Sequence, residues 1–237
     1  MILTGHAIRD AVRAGAITID PWDEQLVNPA SVDLRLGHQV AFYTRVARWS
    51  AIGRGDGARI LPWDQDAEHE PSYSVSDVLD VRQREETITS VIDDGGGIVL
   101  LPGILYLMHS VERGGSRKYV GVLDGKSSLA RLGISVHLTA GYFDSGYVGQ
   151  VTMEVTVVHP IRVYAGMRFA QMRYHVLDGI PMDYQTTGHY VGEHAQGPVP
   201  SRAYLQFEKA NEERIVEKDT EADRAVDRIL EARKTDI

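Results

Sequence analysis

The sequence predicts a mainly β protein, an antiparallel sandwich or barrel with a short helix at its start and a charged helix at its end. From residue 97 onward, short apolar segments recur with glycine and proline between them, and helical periodicity is scarce. The chain has 237 residues, of which 43% are hydrophobic, so one sizeable core can form. These features predict a domain over residues 1–207 and a helical tail over residues 208–237.

The N-terminal part is expected to contain one helix and two strands. A helix over residues 5–14 is indicated by Thr4, a good N-cap, and by apolar residues at helical spacing before Gly15. A strand over residues 17–19 ends shortly before a proline. Residues 28–37 alternate apolar and charged side chains, which is typical of a half-buried strand.

The middle and the second half of the chain differ in pattern. Between residues 50 and 80 the pattern weakens into Gly, Asp, Pro and Ser, with Trp49 and Trp63 as isolated anchors, and we expect a long surface excursion there. The strands predicted after it are short and bounded by turn residues. They cover residues 98–101, 104–109, 119–123, 134–139, 150–158, 161–164 and 168–176.

The tail over residues 208–237 carries seven Lys and Arg residues and ten Asp and Glu residues, a charge of −3. Its apolar residues recur at helical spacing, which indicates an exposed amphipathic helix appended to the domain. A solvated or subunit-bridging tail is the simplest interpretation, and a dedicated partner-binding helix is the alternative. The apolar positions are Ala222, Ala225, Val226, Ile229 and Leu230.

Composition excludes several classes of protein. The absence of cysteine excludes disulfides, thiolate nucleophiles, iron–sulfur clusters and zinc sites with cysteine ligands. The first residues do not form a basic region followed by an apolar stretch, and nowhere do about 18 apolar residues follow one another. We therefore expect a cytoplasmic protein without a membrane span. The net charge of −8 argues against a general nucleic-acid binder.

One segment of this acidic chain is basic. Residues 113–131 contain five Lys and Arg residues and one Asp, a charge of +4, which suits a small polyanion. Within it, residues 126–131 bring two cations and two serine hydroxyls together just after a predicted strand, and a triphosphate needs such donors. A P-loop is excluded, because Val120 stands where that motif requires its upstream glycine.

Two carboxylates stand out downstream. Asp144 lies in the glycine-containing segment 140–149, where it either caps a turn or hydrogen-bonds a ligand hydroxyl. Glu154 lies in the strand predicted over residues 150–158, on the face with Thr152 and opposite the valines. That face is either solvated or lines a cleft or subunit interface. In a cleft, a partly desolvated Glu154 would have the raised pKa that proton transfer at neutral pH requires.

Several segments in register resemble the dCTP deaminases, members of the deoxyuridine triphosphatase (dUTPase)-like superfamily. The resemblance covers roughly residues 1–207 and implies a distorted antiparallel β-barrel or jelly-roll fold. It also implies homotrimers with active sites between subunits, a cytosine deoxynucleotide as substrate, and no nucleic-acid or membrane partner. The similar segments are residues 28–37, 101–103, 125–133, 139–149, 151–155, 166–171 and 197–207.

The resemblance implies hydrolytic deamination without a metal at the reacting carbon. Composition agrees independently, because the chain has neither the cysteines nor the His-x-Glu motif of a zinc cytidine deaminase. Mg²⁺ is expected to arrive with the substrate triphosphate, and no zinc is expected. The class is thus a hydrolase of nucleotide metabolism that forms dUTP or dUMP.

Roles follow from the resemblance by motif position. Glu154 would be the general base, Ser127 and Arg131 would position the water and stabilise charge, and the Ala140 carbonyl would complete that site. Asp144 would bind the deoxyribose 3′-hydroxyl. Residues 152–154 would read the pyrimidine edge, and the phosphates would meet the basic segment and the C-terminal residues. The implied substrate-binding set is Lys126, Ser127, Ser128, Leu129, Ala130, Arg131, Asp144, Thr152, Met153, Glu154, Gln171, Tyr184, His189, Glu193 and Gln196.

The product and the exact substrate depend on two further features. In the family that the chain resembles, a small residue after Thr-Ala marks the members that form dUMP. Gly141, followed by Tyr142, occupies that position here, so the resemblance favours dUMP and pyrophosphate as products. Asp144 would then help to activate the water that attacks the triphosphate. The C-terminal arm, residues 189–200, departs from the family. His189 replaces a permanent cation, and Glu193 or Gln196 replaces a glutamine. A substrate with a modified cytosine or with fewer phosphates therefore remains an alternative to dCTP.

Three other functions remain as alternatives. A deaminase that stops at dUTP differs only in its product. A plain dUTPase shares segments 140–150 and 166–171, but Glu154 and the absence of its Gly-rich, Arg-containing C-terminal motif argue against it. A non-catalytic nucleotide-binding regulator is supported only by the altered arm.

Overall fold

The computed structural model describes residues 1–44, 79–93 and 95–208. The chain divides into two compact units. One consists of Met1–Val78 and Glu86–Pro200, and the other of Leu79–Glu85 and Ser201–Ile237. Nearly all of the expected surface excursion and the helix predicted after residue 208 lie outside the described residues.

The first element is helix α1, Gly5–Arg13, and it confirms the predicted helix. The Thr4 hydroxyl accepts the N–H of Ala7 at 3.3 Å and so caps the first turn. Ile8 is buried in the main core. A short strand, β1 at Thr18–Asp20, and one turn of 3₁₀ helix at Glu24–Leu26 lead into the sheet.

The remaining elements are mostly short strands, as predicted. Two single-turn helices, α2 and α3, and a second 3₁₀ turn interrupt them. The strands are β2 Val32–Tyr43, β3 Thr87–Val91, β4 Ile98–Leu100, β5 Tyr106–Gly115, β6 Tyr119–Gly125, β7 Ile134–Ser135, β8 Tyr142–Phe143, β9 Val148–Val157, β10 Ile161–Val163 and β11 Arg168–Val176; α2 is Ser127–Ala130, α3 is Tyr184–Thr187, and the 3₁₀ turn is Gly192–Ala195.

Nine of the described strands form one antiparallel sheet that curls into a half-barrel, which confirms the predicted fold class. Its order is β7-β9-β5-β2-β11-β6-β8, with β1 added to β5 and β3 to β2, and β4 pairs with β10 separately. The sheet carries the main apolar core, in which Leu36, Met108 and Phe169 are fully buried. Strands β9, β5, β2, β11 and β6 are adjacent, so segments far apart in sequence meet across the sheet.

Three details differ from the sequence-based expectation. Strand β3 was not predicted, because its residues are mostly exposed and polar and give no apolar alternation. The strand expected over residues 134–139 is only two residues long, since the chain leaves the sheet after Ser135. Residues 28–37 were expected to be half-buried, but the Asp33 side chain in β2 is completely buried.

In the second unit, the described residues are 79–85 and 201–208. The Asp80 carboxylate accepts the backbone N–H of Arg82 at 2.9 Å, and the Arg82 guanidinium lies 5.9 Å from the centre of the Phe207 ring. A cation–π contact therefore links its two segments.

Candidate active site

Glu154 lies on the face of β9 that does not point into the core. The strand alternates as predicted: Val151, Met153, Val155 and Val157 are buried, and the residues between them are half-buried. The sequence left open whether the Glu154 face is solvated, and the structure gives an intermediate degree of exposure. Because the Met153 side chain is in the core, a nucleotide could meet this residue only through its backbone.

The Glu154 carboxyl is held in a partly desolvated environment. Burial is the main effect and raises its pKa, whereas its own N–H, the Leu138 N–H and the charge of His137 act in the opposite direction. Its Oε2 atom is buried and has no hydrogen-bond partner. A carboxylate oxygen without a partner is costly unless a ligand or water completes it. Glu154 therefore has the properties of a proton-transfer group.

His137 faces the same space from the loop that follows β7. Its Nε2 donates to the Leu123 carbonyl at 3.1 Å, which in a neutral ring leaves Nδ1 as an acceptor. That Nδ1 is also buried without a partner. Two unpartnered atoms, one on His137 and one on Glu154, thus belong to one region of the site. The sequence reasoning missed His137, because the segment resembled a continuous strand.

Gly141 makes room for the His137 ring. A Cβ atom at position 141 would lie 2.8 Å from His137 Cε1 and 2.9 Å from both His137 Nε2 and the Leu123 carbonyl oxygen. The Gly141 carbonyl in turn accepts the Leu123 N–H at 2.7 Å. Gly141 is therefore required by close approach, and the neighbouring Tyr142 and Ala140 are exposed.

The predicted phosphate donors surround helix α2. Leu129 is buried and anchors this single turn, whereas Ser127, Ser128, Ala130 and Arg131 are exposed. The buried leucine fixes the helix on the domain, and the hydroxyls and the guanidinium extend into solvent. Of this set, Leu129 can contribute only its backbone to a ligand.

Lys126, which precedes α2, lies against a buried carboxylate. Its Nζ donates to Asp33 Oδ1 at 2.5 Å. Asn28 donates to the same oxygen at 2.6 Å, and Arg168 NH1 lies 3.5 Å from Asp33 Oδ2. Sequence reasoning placed Lys126 at the phosphates without its partner. The sequence offered one indication of this partner, because Asp33 is a charged residue between the apolar Val32 and Leu34 of β2.

Gln171 connects three of the segments that carry the resemblance. Its Nε2 donates to the Gly125 carbonyl at 3.0 Å, and its Oε1 accepts the Ser31 hydroxyl at 2.8 Å. Gly125 is the last residue of β6 before Lys126 and α2. The predicted phosphate ligand Gln171 thus supports the backbone at the start of the α2 region.

Asp144 lies at an exposed turn beside an aromatic group. Its carbonyl accepts the Tyr147 N–H at 3.1 Å, which closes the turn, and it borders a small cavity that Phe143 and Tyr147 also line. Ring centres of Phe143 and Tyr147 are 5.3 Å apart, and those of Tyr147 and Tyr184 are 5.9 Å apart. Burial chiefly raises the pKa of Tyr184, with a smaller contribution from the Asp144 charge. Asp144 and Tyr184 are therefore neighbours, as a common ligand would require.

The C-terminal arm follows α3. His189 and Gln196 are exposed, and the side chain of Glu193 lies outside the described part of the structure. Gly197 contacts β9 through the side chains of Gln150 and Thr152. Sequence reasoning assigned Thr152 to the base, but its hydroxyl hydrogen-bonds the arm. Gln150 was missed, since a polar residue at a strand start carries no distinctive pattern.

No helix among the described residues is long and apolar enough to cross a membrane. Within residues 1–44, 79–93 and 95–208, no three His, Asp or Glu side chains are grouped so as to hold a metal ion. The described site residues are thus carboxylates, hydroxyls and cations on an antiparallel β scaffold.

A family model described as dCTP deaminase-like matches residues 2–177. The protein named "dCTP deaminase, dUMP-forming" from Cytophaga hutchinsonii is 34% identical over 209 residues, 88% of this chain and 100% of that protein. The one of the same name from Clostridium acetobutylicum is 32% identical over 209 residues, 87% of this chain and 99% of that protein. The chain belongs to the dCTP deaminase-like family.

A solved structure agrees in fold. The 2′-deoxycytidine 5′-triphosphate deaminase from Agrobacterium tumefaciens matches with a TM-score of 0.50 and 24% identity, over 81% of this chain. The match spans 55% of that longer chain. At this identity the comparison supports the antiparallel β fold.

Proposed function

We propose that this chain deaminates dCTP and hydrolyses the resulting triphosphate, with dUMP, pyrophosphate and ammonia as products. The observation that carries the proposal is Glu154, a half-buried carboxylate with one buried, unpartnered oxygen on the strand face next to His137. Relatives that bear the name "dCTP deaminase, dUMP-forming" align over nearly their whole length, which supports the same product here.

In the proposed reaction, ionised Glu154 takes a proton from a water molecule as its oxygen attacks C4 of cytosine. Glu154 delivers that proton to N3 of the base, and it then transfers the proton of the new C4 hydroxyl to the amino group, so that the C4–N bond breaks, ammonia leaves and a C4 carbonyl remains. Ser127 and Arg131 orient the water and stabilise the developing charge, together with the Ala140 carbonyl. Asp144 holds the 3′-hydroxyl and assists the water that attacks the α-phosphate.

The triphosphate, carrying Mg²⁺, is assigned to Lys126, Ser128, Arg131 and the C-terminal arm. The exposed Arg131 guanidinium and the exposed hydroxyls of Ser127 and Ser128 at α2 support this assignment. Mg²⁺ enters with the substrate, and the cationic side chains of the protein balance the remaining negative charge of the triphosphate. A cytoplasmic location is part of the same proposal, because the substrate is a nucleotide of cellular metabolism.

A homotrimer with sites between subunits is also proposed. Leu132, Leu138 and Val158 are 57%, 56% and 62% exposed, respectively. Val158 directly follows β9 and donates its N–H to the carbonyl of Gly133, the residue after Leu132, and the Leu138 N–H bonds Glu154. Such an exposed apolar surface beside polar site residues supports contact with another copy of the chain. Sedimentation analysis tests it: a species of one chain at micromolar concentration would contradict the trimer.

The direct test is incubation with dCTP and Mg²⁺, followed by separation of nucleotides. We expect dUMP with stoichiometric ammonia, and turnover about 10³-fold lower with Glu154→Gln. Accumulation of dUTP would restrict the activity to deamination. Hydrolysis of dUTP with dCTP untouched would replace the proposal by a dUTPase, and tight binding without turnover by a regulator.

A further inference from the structure

The C-terminal arm runs beside β9, on the strand face that carries Glu154. Ala195 is buried at the start of the strand, at Gly149, a position of the opposite face: a Cβ atom added at Gly149 would lie 2.4 Å from the Ala195 Cβ. Gly197 hydrogen-bonds the side chains of Gln150 and Thr152, and Val199 hydrogen-bonds the side chain of Thr152. The arm therefore advances along β9 in the direction of Glu154.

Two side chains of β9 hold the backbone of the arm. Gln150 Oε1 accepts the Gly197 N–H at 2.8 Å. The Thr152 hydroxyl donates to the Gly197 carbonyl at 3.2 Å and accepts the Val199 N–H at 3.2 Å. Among the described residues, positions 196–200 make no backbone-to-backbone hydrogen bond. These three bonds are thus the specific attachment of a segment that has no regular secondary structure.

We propose that Gln150 and Thr152 are positioning residues that keep the C-terminal arm ordered beside Glu154 before a nucleotide binds. The expected change in KM rests on the proposed function, whereas the ordering of the arm rests only on the three hydrogen bonds. Gln150, Thr152 and Glu154 occupy alternate positions of one strand, so the arm and the general base share one rigid element.

The consequence concerns binding more than chemistry. An arm that is already ordered loses little conformational entropy when a nucleotide binds against it, whereas a detached arm must be ordered at that moment. Loss of the attachment should therefore raise KM more than it lowers kcat. It should also expose the Gly197 and Val199 amides to solvent exchange.

The test compares four variants of the full chain. Thr152→Val keeps the shape of the side chain and removes two of the bonds, and Thr152→Ser restores the hydroxyl. Gln150→Met removes the third bond at a position outside the predicted substrate-binding set. Thr156→Val is the matched control, because Thr156 lies on the same face of β9 and, among the described residues, has no hydrogen bond to the arm.

Hydrogen exchange followed by mass spectrometry is measured on peptides containing residues 196–200, without nucleotide. We expect Thr152→Val to accelerate exchange about tenfold and to raise KM for dCTP about tenfold, with kcat changed about twofold. Gln150→Met should have the same direction of effect, Thr152→Ser should restore the slow exchange, and Thr156→Val should resemble the unchanged chain in both measurements.

Unchanged exchange in both Thr152→Val and Gln150→Met would overturn the proposal. So would a KM equal to that of Thr156→Val in spite of faster exchange. A direct contact between Thr152 and the base cannot mimic the result, since exchange is measured without nucleotide. If Thr152→Val does not fold, Gln150→Met decides alone. If the unchanged chain does not act on dCTP, the proposed function fails, and the exchange result still decides the attachment.

Discussion

Two carboxylates of this domain have different surroundings. Asp33 is completely buried: Lys126 and Asn28 donate to its Oδ1 atom, and the Arg168 guanidinium lies 3.5 Å from its Oδ2 atom, which has no hydrogen-bond partner. Glu154 is half-buried, its Oε2 atom likewise has no hydrogen-bond partner, and His137 is the side chain whose charge lowers its pKa. A buried charge without a full set of partners is destabilising. The charge of Asp33 is compensated by Lys126 and Arg168, so Asp33 stabilises the structure, whereas Glu154 is the general base in the reaction that we propose.

The largest expected effect is on activity at Glu154. Replacement by Gln keeps the shape and removes the base, so turnover of dCTP should fall by about 10³-fold, within the range for general base catalysis. Burial raises the pKa of Glu154, so the folded state binds its proton more tightly than the unfolded state, and ionising it costs stability as pH rises.

Glu154→Gln should therefore be at least as stable as the unchanged chain near pH 8. The difference should shrink as pH falls towards the ordinary carboxyl pKa of about 4.3. Thermal unfolding at several pH values checks this. A variant that is inactive because it is unfolded would contradict the division of roles between the two carboxylates.

The second effect is on stability at Asp33. Asp33→Ala removes the carboxylate and leaves Lys126 and Asn28 without their partner, so the free energy of unfolding should fall by about 3–5 kcal/mol. Urea unfolding measures the loss. The ion pair between Arg13 and Glu24 provides the control, because both side chains are more than half exposed and Glu24→Gln should cost under about 1 kcal/mol.

These two carboxylates also illustrate what the sequence could predict. The position of Glu154 followed from the alternation of β9, because a period of two is a local property of the strand. The burial of Asp33 was not predictable in the same way, since its partner Lys126 is 93 residues away and is brought to it by the sheet. A charged residue in an alternating segment otherwise indicates an exposed face.

The site was predictable to the extent that its motifs are local. Residues 126–131 were identified as anion donors, and the structure exposes most of them on α2. His137 was not identified, because its place depends on the distant Leu123 carbonyl and on the missing side chain of Gly141. Most of the strands were predicted, but the polar edge strand β3 gave no pattern.

A third effect is expected at Gly141. Gly141→Ala would bring a methyl group within 2.9 Å of the His137 ring and the Leu123 carbonyl, so the loop must shift. Overpacking of this kind typically costs about 1–3 kcal/mol, and we expect a roughly tenfold loss of dCTP turnover with a larger share of dUTP among the products. Chromatography of the products checks both. If turnover and product ratio equalled those of the unchanged chain, Gly141 would have no role in the active site.

The smallest effect concerns pH. Because Glu154 must be ionised to act as base, kcat/KM should fall as pH drops through its pKa, which burial raises above the ordinary value. A positive His137 lowers that pKa, so His137→Asn should move the acid limb of the profile to higher pH. A shift in the opposite direction would show that another group governs the limb.

The bond between Ser31 and Gln171 joins residues that are 140 positions apart. Contacts of such separation form late in folding, because a long stretch of chain must first be closed into a loop. During synthesis, the residues at the start of α2 emerge well before Gln171 does. The α2 region therefore acquires this support only after Gln171 has left the ribosome, and a shorter nascent chain contains Ser127 and Ser128 without it.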